Sequence, residues 1–235
     1  MSRIWAVMPA AGQGSRFGGD CPKQYLPLAG KAIIERSIAA ILRCPDLAGL
    51  VVALGPADSR FAGLTCASDP RVHTVTGGDD RARSVENALD YLIASADPDD
   101  WVLVHDAARP CLSWSELEAL LSAGDSSSEG ALLALPVVDT LKRVDSDGRV
   151  VATVERDQLW RAQTPQYFPL FKLRDALRHC RLAGEQVTDE ASAMQAVGAR
   201  PRVVAGSHRN IKITHPEDLA LAEGFLRELQ QQVQQ

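Results

Sequence analysis

Short apolar runs alternate with segments of helical spacing along almost the whole of this chain. Ile4-Trp5-Ala6-Val7-Met8 is uninterrupted by charge and reads as a strand buried on both faces. Leu50–Leu54, Arg71–Thr76, Trp101–Val104 and Ala131–Val138 read as further strands. Between them, Ile33, Ile34, Ile38, Ile41 and Leu42 give Lys31–Arg43 an apolar face at helical spacing. Val85, Ala88, Leu89 and Leu92 do the same for Arg81–Ile93. Ser113, with Glu116 three positions on, predicts the start of a helix over Trp114–Leu121. This alternation predicts an α/β fold with a mostly parallel twisted sheet covered by helices on both faces. Ligands of such sheets bind beyond the carboxyl ends of the strands. The polar residues that follow the first, third and fourth strands should therefore meet at one edge.

The pattern breaks between Asp139 and Glu155. Thr140–Asp145 and Arg149–Glu155 are strand-like and are joined by Ser146-Asp147-Gly148, a strong hairpin signal. A lone two-stranded hairpin is marginal in water. The expectation is an arm, about residues 139–157, that reaches across a homodimer interface; a solvent-exposed flap is the plainer alternative. Leu159–Gln166 follows, then a helix from about Pro169 to Leu182 and a short helix opened by Thr188-Asp189-Glu190. Arg202–Ala205 and Ile211–Thr214 are expected to be strands. The last helix follows His215-Pro216-Glu217-Asp218, with proline in its first turn, and frays in the glutamine-rich tail from Gln230. No repeat or linker divides the 235 residues, so one domain with an elaboration is expected.

Composition narrows the function classes. Net charge is −5, which argues against nucleic acid as a partner. The apolar runs are strand length, so no membrane span is expected, and the N-terminus lacks a signal-peptide pattern. Five scattered cysteines without a C-x-x-C pair suit neither a zinc site nor a disulfide framework, and a reducing cytoplasmic location is expected.

The chemistry begins where the first strand ends. Met8-Pro9-Ala10-Ala11-Gly12-Gln13-Gly14-Ser15-Arg16-Phe17-Gly18-Gly19 is glycine-rich and flanked by Arg16 and Lys23. Such a loop can turn successive N–H groups onto an anion, and the two cations suit a polyphosphate. The glycine spacing does not match a dinucleotide fingerprint, the second strand ends without the expected acid, and no G-K-[ST] follows. A ligand-free glycine-rich connection remains the bland alternative.

Gly77-Gly78-Asp79-Asp80-Arg81-Ala82-Arg83-Ser84 allows close backbone approach, with Asp79 and Ser84 suited to a base or sugar edge. Asp79 or Asp80 would equally serve as a plain helix cap. Asp106, at the end of the fourth strand, suits Mg²⁺ shared with substrate phosphates, and Arg109 suits phosphate; a structural Asp–Arg pair is the alternative. Arg156 and Lys212 are further cations, each equally at home on a solvated face. There is no G-x-S-x-G and no H-E-x-x-H. What remains is polyphosphate chemistry by positioning and charge.

Taken together, Pro9-Ala10-Ala11-Gly12-Gln13-Gly14-Ser15-Arg16, Pro22-Lys23-Gln24-Tyr25, Gly78-Asp79-Asp80-Arg81, Val104-His105-Asp106-Ala107-Ala108-Arg109-Pro110, Thr164-Pro165-Gln166, Thr188-Asp189-Glu190-Ala191-Ser192-Ala193 and Asn210-Ile211-Lys212-Ile213-Thr214 resemble one family in sequence order. That family is the 2-C-methyl-D-erythritol 4-phosphate cytidylyltransferases of the non-mevalonate isoprenoid pathway. The resemblance implies a Rossmann-like nucleotidyltransferase fold, CTP as co-substrate, Mg²⁺ and a homodimer. It implies that Arg16 and Lys23 stabilise the transition state and that Arg156 and Lys212 position the acceptor phosphate. Ala10, Ala11, Gly12, Gly14, Gly78, Asp79 and Ser84 would surround CTP, and Asp106 would face Mg²⁺ and substrate. Arg109, Thr140, Thr164 and Thr188 would line the acceptor pocket, with Thr140 and Arg156 lent to the neighbour's site. The chain resembles the single-function form rather than the fusion to a later cyclase. A ribitol 5-phosphate cytidylyltransferase and a non-catalytic nucleotide-binding regulator are the competing readings.

Overall fold

The computed structural model describes residues 2–12 and 21–233. Its strands begin with β1 (Ile4–Ala10), a small hairpin of β2 (Pro27–Leu28) and β3 (Lys31–Ala32), β4 (Leu47–Leu54) and β5 (Val72–Thr76). They continue with β6 (Trp101–Val104), β7 (Ala131–Pro136), the arm strands β8 (Leu141–Val144) and β9 (Val150–Val154), β10 (Trp160–Pro169) and β11 (Arg202–Ala205). The helices are α1 (Ile33–Ile41), α2 (Arg81–Ile93), α3 (Trp114–Asp125), α4 (Leu170–Ala183), α5 (Glu190–Ala196) and α6 (Asp218–Val233).

Seven strands form the central sheet in the order β11-β7-β10-β6-β1-β4-β5. β1 pairs in parallel with β4 and β6, β4 with β5, and β7 with β11. β10 is antiparallel to both β6 and β7. The chain runs from β1 outward to β5, then returns to the other side of β1 to lay down β6. That reversal opens a crevice at the carboxyl ends of β1 and β6.

Side-chain period two explains why the sheet is buried on both faces. Ala6, Met8, Leu50, Val52, Leu103, Leu133 and Tyr167 face one core with α1 and α3. Trp5, Val7, Val51, Ala53, Val102, Val104 and Phe168 face the other with α2, α4 and α5. α6 closes a third cluster through Ala222 and Leu226 against Leu28, Ile33, Cys111 and Ile213.

The arm is an antiparallel hairpin with Gly148 at φ +78°, and Val144, Val150 and Val151 lie exposed on it. Several expectations are corrected. The helix expected over Lys31–Arg43 starts at Ile33, because Lys31-Ala32 pairs with Pro27-Leu28. The reversed direction of β10 carries no local signature. Ile211–Thr214 is not a strand: its side chains alternate, with Ile213 buried, but its backbone joins no ladder. Pro216 lies in the turn before α6, where Asp218 accepts from the N–H groups of Thr214 and His215. α6 continues past Gln230 to Val233.

Candidate active site

The three loops expected to converge do so. Pro9–Gly12 at the end of β1, Gly78–Arg81 with Ser84 beyond β5, and Asp106–Ala108 beyond β6 line a cavity of about 330 Å³, joined by Lys23, Gln24 and Lys212. Of the residues expected there, Ala10, Ala11, Gly12, Lys23, Gly78, Asp79, Ser84, Asp106 and Lys212 all meet at this cavity. Gly14 and Arg16 lie outside the described residues.

Local chemistry fixes each wall. Gln24, in the single helical turn Lys23–Tyr25, donates to the carbonyls of Ala10 at 2.9 Å and Gly12 at 3.1 Å. Lys23 Nζ reaches the carbonyl of Ile213 at 2.9 Å. A Cβ on Gly77 would fall 2.6 Å from that of Ala11, so glycine is what lets the two loops close together. Asp80, not Asp79, caps α2 by accepting from the Arg83 N–H at 2.7 Å, an interaction worth about 1 kcal/mol. Asp79 is left lining the cavity. Ser84 is buried, donates to the Asp80 carbonyl at 2.8 Å and accepts from the Gly78 N–H at 3.1 Å. Its hydroxyl therefore shapes the loop.

Asp106 is the centre of charge. Its Oδ1 accepts from Arg81 Nε at 3.0 Å and its Oδ2 lies 2.8 Å from Lys212 Nζ. Arg109 Nε is 3.6 Å from Oδ2, close enough for attraction but too long for a hydrogen bond. Burial alone would raise this carboxyl, but Arg81, Lys212 and Arg109 outweigh it and hold it well below the usual carboxylate range. Arg81 also forks onto Glu190 at 2.7 and 3.0 Å. Arg81, Asp106 and Lys212 form a wall shared with a second cavity of about 250 Å³, lined also by Arg109, Thr164 and Thr188. Two cavities thus meet at one set of charges.

Thr164 is buried and accepts from the Asp106 N–H at 3.0 Å. Its Oγ1 is 3.1 Å from His105 Nδ1, and His105 Nε2 is 3.0 Å from the Arg109 carbonyl. A carbonyl only accepts, so Nε2 carries the proton and the threonine hydroxyl donates to Nδ1. Burial pushes the His105 imidazole down to about 4, outweighing the bond to the Arg109 carbonyl, which raises it. Unfolded, the ring takes up a proton near 6.5. Its contribution to stability is therefore complete above about pH 6.5 and is lost as pH falls toward 4, by roughly 3 kcal/mol in all. Urea denaturation between pH 7 and 4.5 should show this slope, and His105→Gln should flatten it.

Thr140 and Arg156 do not line either cavity of their own chain: both are exposed on the arm, where Arg156 Nη1 donates to the Val138 carbonyl. Arg109 Nη1 donates to the Asn210 carbonyl at 2.7 Å, and Arg109 lines the second cavity. Arg81 and Gln24 stand within quoted motifs but had no role assigned; the cation placed directly after a helix cap was the available signal. Among the described residues no group of three or more His, Cys, Asp or Glu side chains comes together. Asp79, Asp80 and Asp106 are the carboxylates lining the larger cavity, and so small a set fits a divalent cation held mainly by substrate phosphates rather than by a protein cage.

Comparison with known proteins identifies the family and agrees with the fold. The family model for 2-C-methyl-D-erythritol 4-phosphate cytidylyltransferase matches residues 4–228. A protein of that name from Pseudomonas putida is 53% identical over 217 residues, covering 92% of each chain. One from Aeromonas hydrophila is 49% identical over 225 residues, covering 96% of this chain and 90% of the relative. The crystal structure of the Francisella tularensis protein of that name superposes with a TM-score of 0.83 at 37% identity, over 95% of this chain and all of the other.

Proposed function

This chain belongs to the 2-C-methyl-D-erythritol 4-phosphate cytidylyltransferase family, and from that premise we propose how its residues perform the reaction. The enzyme transfers a cytidylyl group from CTP to 2-C-methyl-D-erythritol 4-phosphate, and pyrophosphate leaves. An oxygen of the acceptor phosphate attacks the α-phosphorus of CTP as the bond to the β-phosphate oxygen breaks. The observation that supports this assignment of roles is the shared wall: Arg81, Asp106 and Lys212 border both cavities.

In this reading the larger cavity takes CTP, with Ala10, Ala11, Gly12, Gly78 and Asp79 around the nucleoside and Gly14 in the same loop. Lys23 and Arg16 neutralise charge that gathers on the phosphates in the transition state. Lys212 turns to the acceptor phosphate, and Arg109, Thr164 and Thr188 shape the acceptor cavity. Mg²⁺, bound by the triphosphate and Asp106, would supply further charge neutralisation. The whole chain acts as one catalytic domain, and a cytoplasmic location is in keeping with free cysteines and with the lack, among the described residues, of a helix long and apolar enough to cross a membrane.

The arm carries Thr140 and Arg156 toward a second copy. Support comes from the exposed apolar positions Val144, Val150 and Val151 and from both polar residues standing outside the lining of their own chain's two cavities. Sedimentation at micromolar concentration is expected to give twice the mass of one chain; a single-chain mass would remove the arm's role.

The decisive assay follows pyrophosphate release from CTP and Mg²⁺ with methylerythritol 4-phosphate or ribitol 5-phosphate supplied in parallel. Release with the first alone is expected. Release with ribitol 5-phosphate alone would overturn the acceptor, and release with neither would favour a regulator.

A further inference from the structure

Residues 207–214 carry Lys212 across the carboxyl edge of the sheet without joining it. Among the described residues one backbone-to-backbone hydrogen bond ties this stretch to the rest of the molecule, from the Ile213 N–H to the Ala108 carbonyl at 2.8 Å. A segment held so lightly would leave its lysine poorly aimed, yet Lys212 Nζ sits 2.8 Å from Asp106. The missing restraint comes from side chains: Lys23 holds the Ile213 carbonyl at 2.9 Å, Glu116 accepts from the Ser207 N–H at 2.8 Å, Asp218 accepts from the Thr214 N–H at 2.7 Å, and a further group of bonds gathers at Asn210.

Asn210 is wholly buried. Its Nδ2 donates to the Thr164 carbonyl at 2.9 Å. Its own carbonyl accepts from Arg109 Nη1 at 2.7 Å and from Gln163 Nε2 at 3.1 Å. Gln163 Nε2 also donates to the Ser207 carbonyl at 3.0 Å. Gln163 and Thr164 can reach this far because β10 is irregular here: from Ala162 to Gln166 it advances four residues while β7 advances two, from Ala134 to Leu132. Gly206 completes the fit, since a Cβ there would lie 2.1 Å from Gln163 Oε1. Thr164 is fixed in turn by the Asp106 N–H and His105, and Arg109 lies against Asp106.

We infer that Asn210 is a positioning residue for Lys212, setting the ammonium group at the junction of the two cavities by tying the strandless segment to the β10 bulge through its side chain, while Arg109 and Gln163 hold its main-chain carbonyl. It lines neither of the two cavities. The inference deepens the proposed reading and rests on Lys212 as the cation that receives the acceptor phosphate.

Asn210→Ala is expected to raise KM for the acceptor about tenfold, while Kd for CTP by calorimetry stays within about twofold. In a Lys212→Ala background the same change should cost nothing further in kcat/KM for the acceptor, because the group it positions is gone. Gln163→Met removes the second clamp on the Asn210 carbonyl with a side chain of similar length. It should show the same acceptor-only signature, and it carries the test if Asn210→Ala does not fold. Losses that add in the double variant, or CTP affinity falling in step with acceptor KM in both single variants, overturn the inference in favour of plain structural support. An unchanged acceptor KM in Lys212→Ala overturns the reading of Lys212 itself and the inference with it. That result is distinct from additivity, which requires Lys212→Ala to have an effect.

Discussion

Replacing Lys23 with alanine is expected to lower kcat by about 10²–10³-fold while the protein folds and binds CTP. Lys23 opens the single helical turn behind the glycine-rich loop, and its ammonium group is already aimed across the cavity at the Ile213 carbonyl, 2.9 Å away. Gln24 beside it is anchored to the two carbonyls that end the first loop, so the lysine's backbone has little freedom. A cation fixed before the reaction stabilises developing phosphate charge without reorganising at the moment of transfer, which is why the loss should fall on kcat rather than on CTP affinity. Steady-state pyrophosphate release, with circular dichroism as the control for folding, measures it. Near-normal turnover would remove Lys23 from the transition state.

Replacing Arg81 with methionine should damage stability and activity together. The Glu190 side chain is 1% exposed, and Arg81 satisfies both of its oxygens. Removing one partner of a buried ion pair leaves a charge with neither water nor counterion and costs about 3–5 kcal/mol. Urea denaturation should show a loss of that size. Adding Glu190→Gln to Arg81→Met should recover much of it, because the stranded charge is then gone. Activity should not return with it, since Asp106 still lacks the guanidinium that holds its Oδ1. Full recovery of turnover in the double variant would show that Arg81 serves α5 alone.

The sequence made the edge of the sheet legible because the relevant signals are local. Apolar runs end in glycine, aspartate or small residues, and three of these endings form the crevice: Pro9–Gly12, Gly78–Arg81 and Asp106–Ala108. Ser113 with Glu116 and Asp189 before Glu190 are caps whose spacing alone suffices. What stayed hidden depends on pairing. β10 runs against its neighbours, and direction is a property of the partner strand rather than of the residues themselves. Asn210-Ile211-Lys212-Ile213-Thr214 alternates like a strand because one face meets α6 and the other the cavity, with no ladder required. That Asp80 rather than Asp79 caps α2, while both line the cavity, turned on one hydrogen bond to Arg83. Arg81 was obscured by a different limit: its partners lie 25 and 109 residues away.

The reversed strand has a consequence for the chain while it is being made. β5, β4, β1 and β6 can assemble once residue 104 is available, yet the outer rim of β6 has no neighbour until Gln166–Pro169 arrives. β7 is in the same position, since β10 is what joins it to the older half. For more than sixty residues of synthesis, from Val104 to Pro169, the nascent molecule therefore carries an open strand rim with an apolar face on either side. Residues 160–169 close that rim from both sides at once. A ribosome stalled within the arm would release a fragment inclined to pair with its own kind, whereas one stalled just beyond Pro169 would release a fragment with β6 already capped.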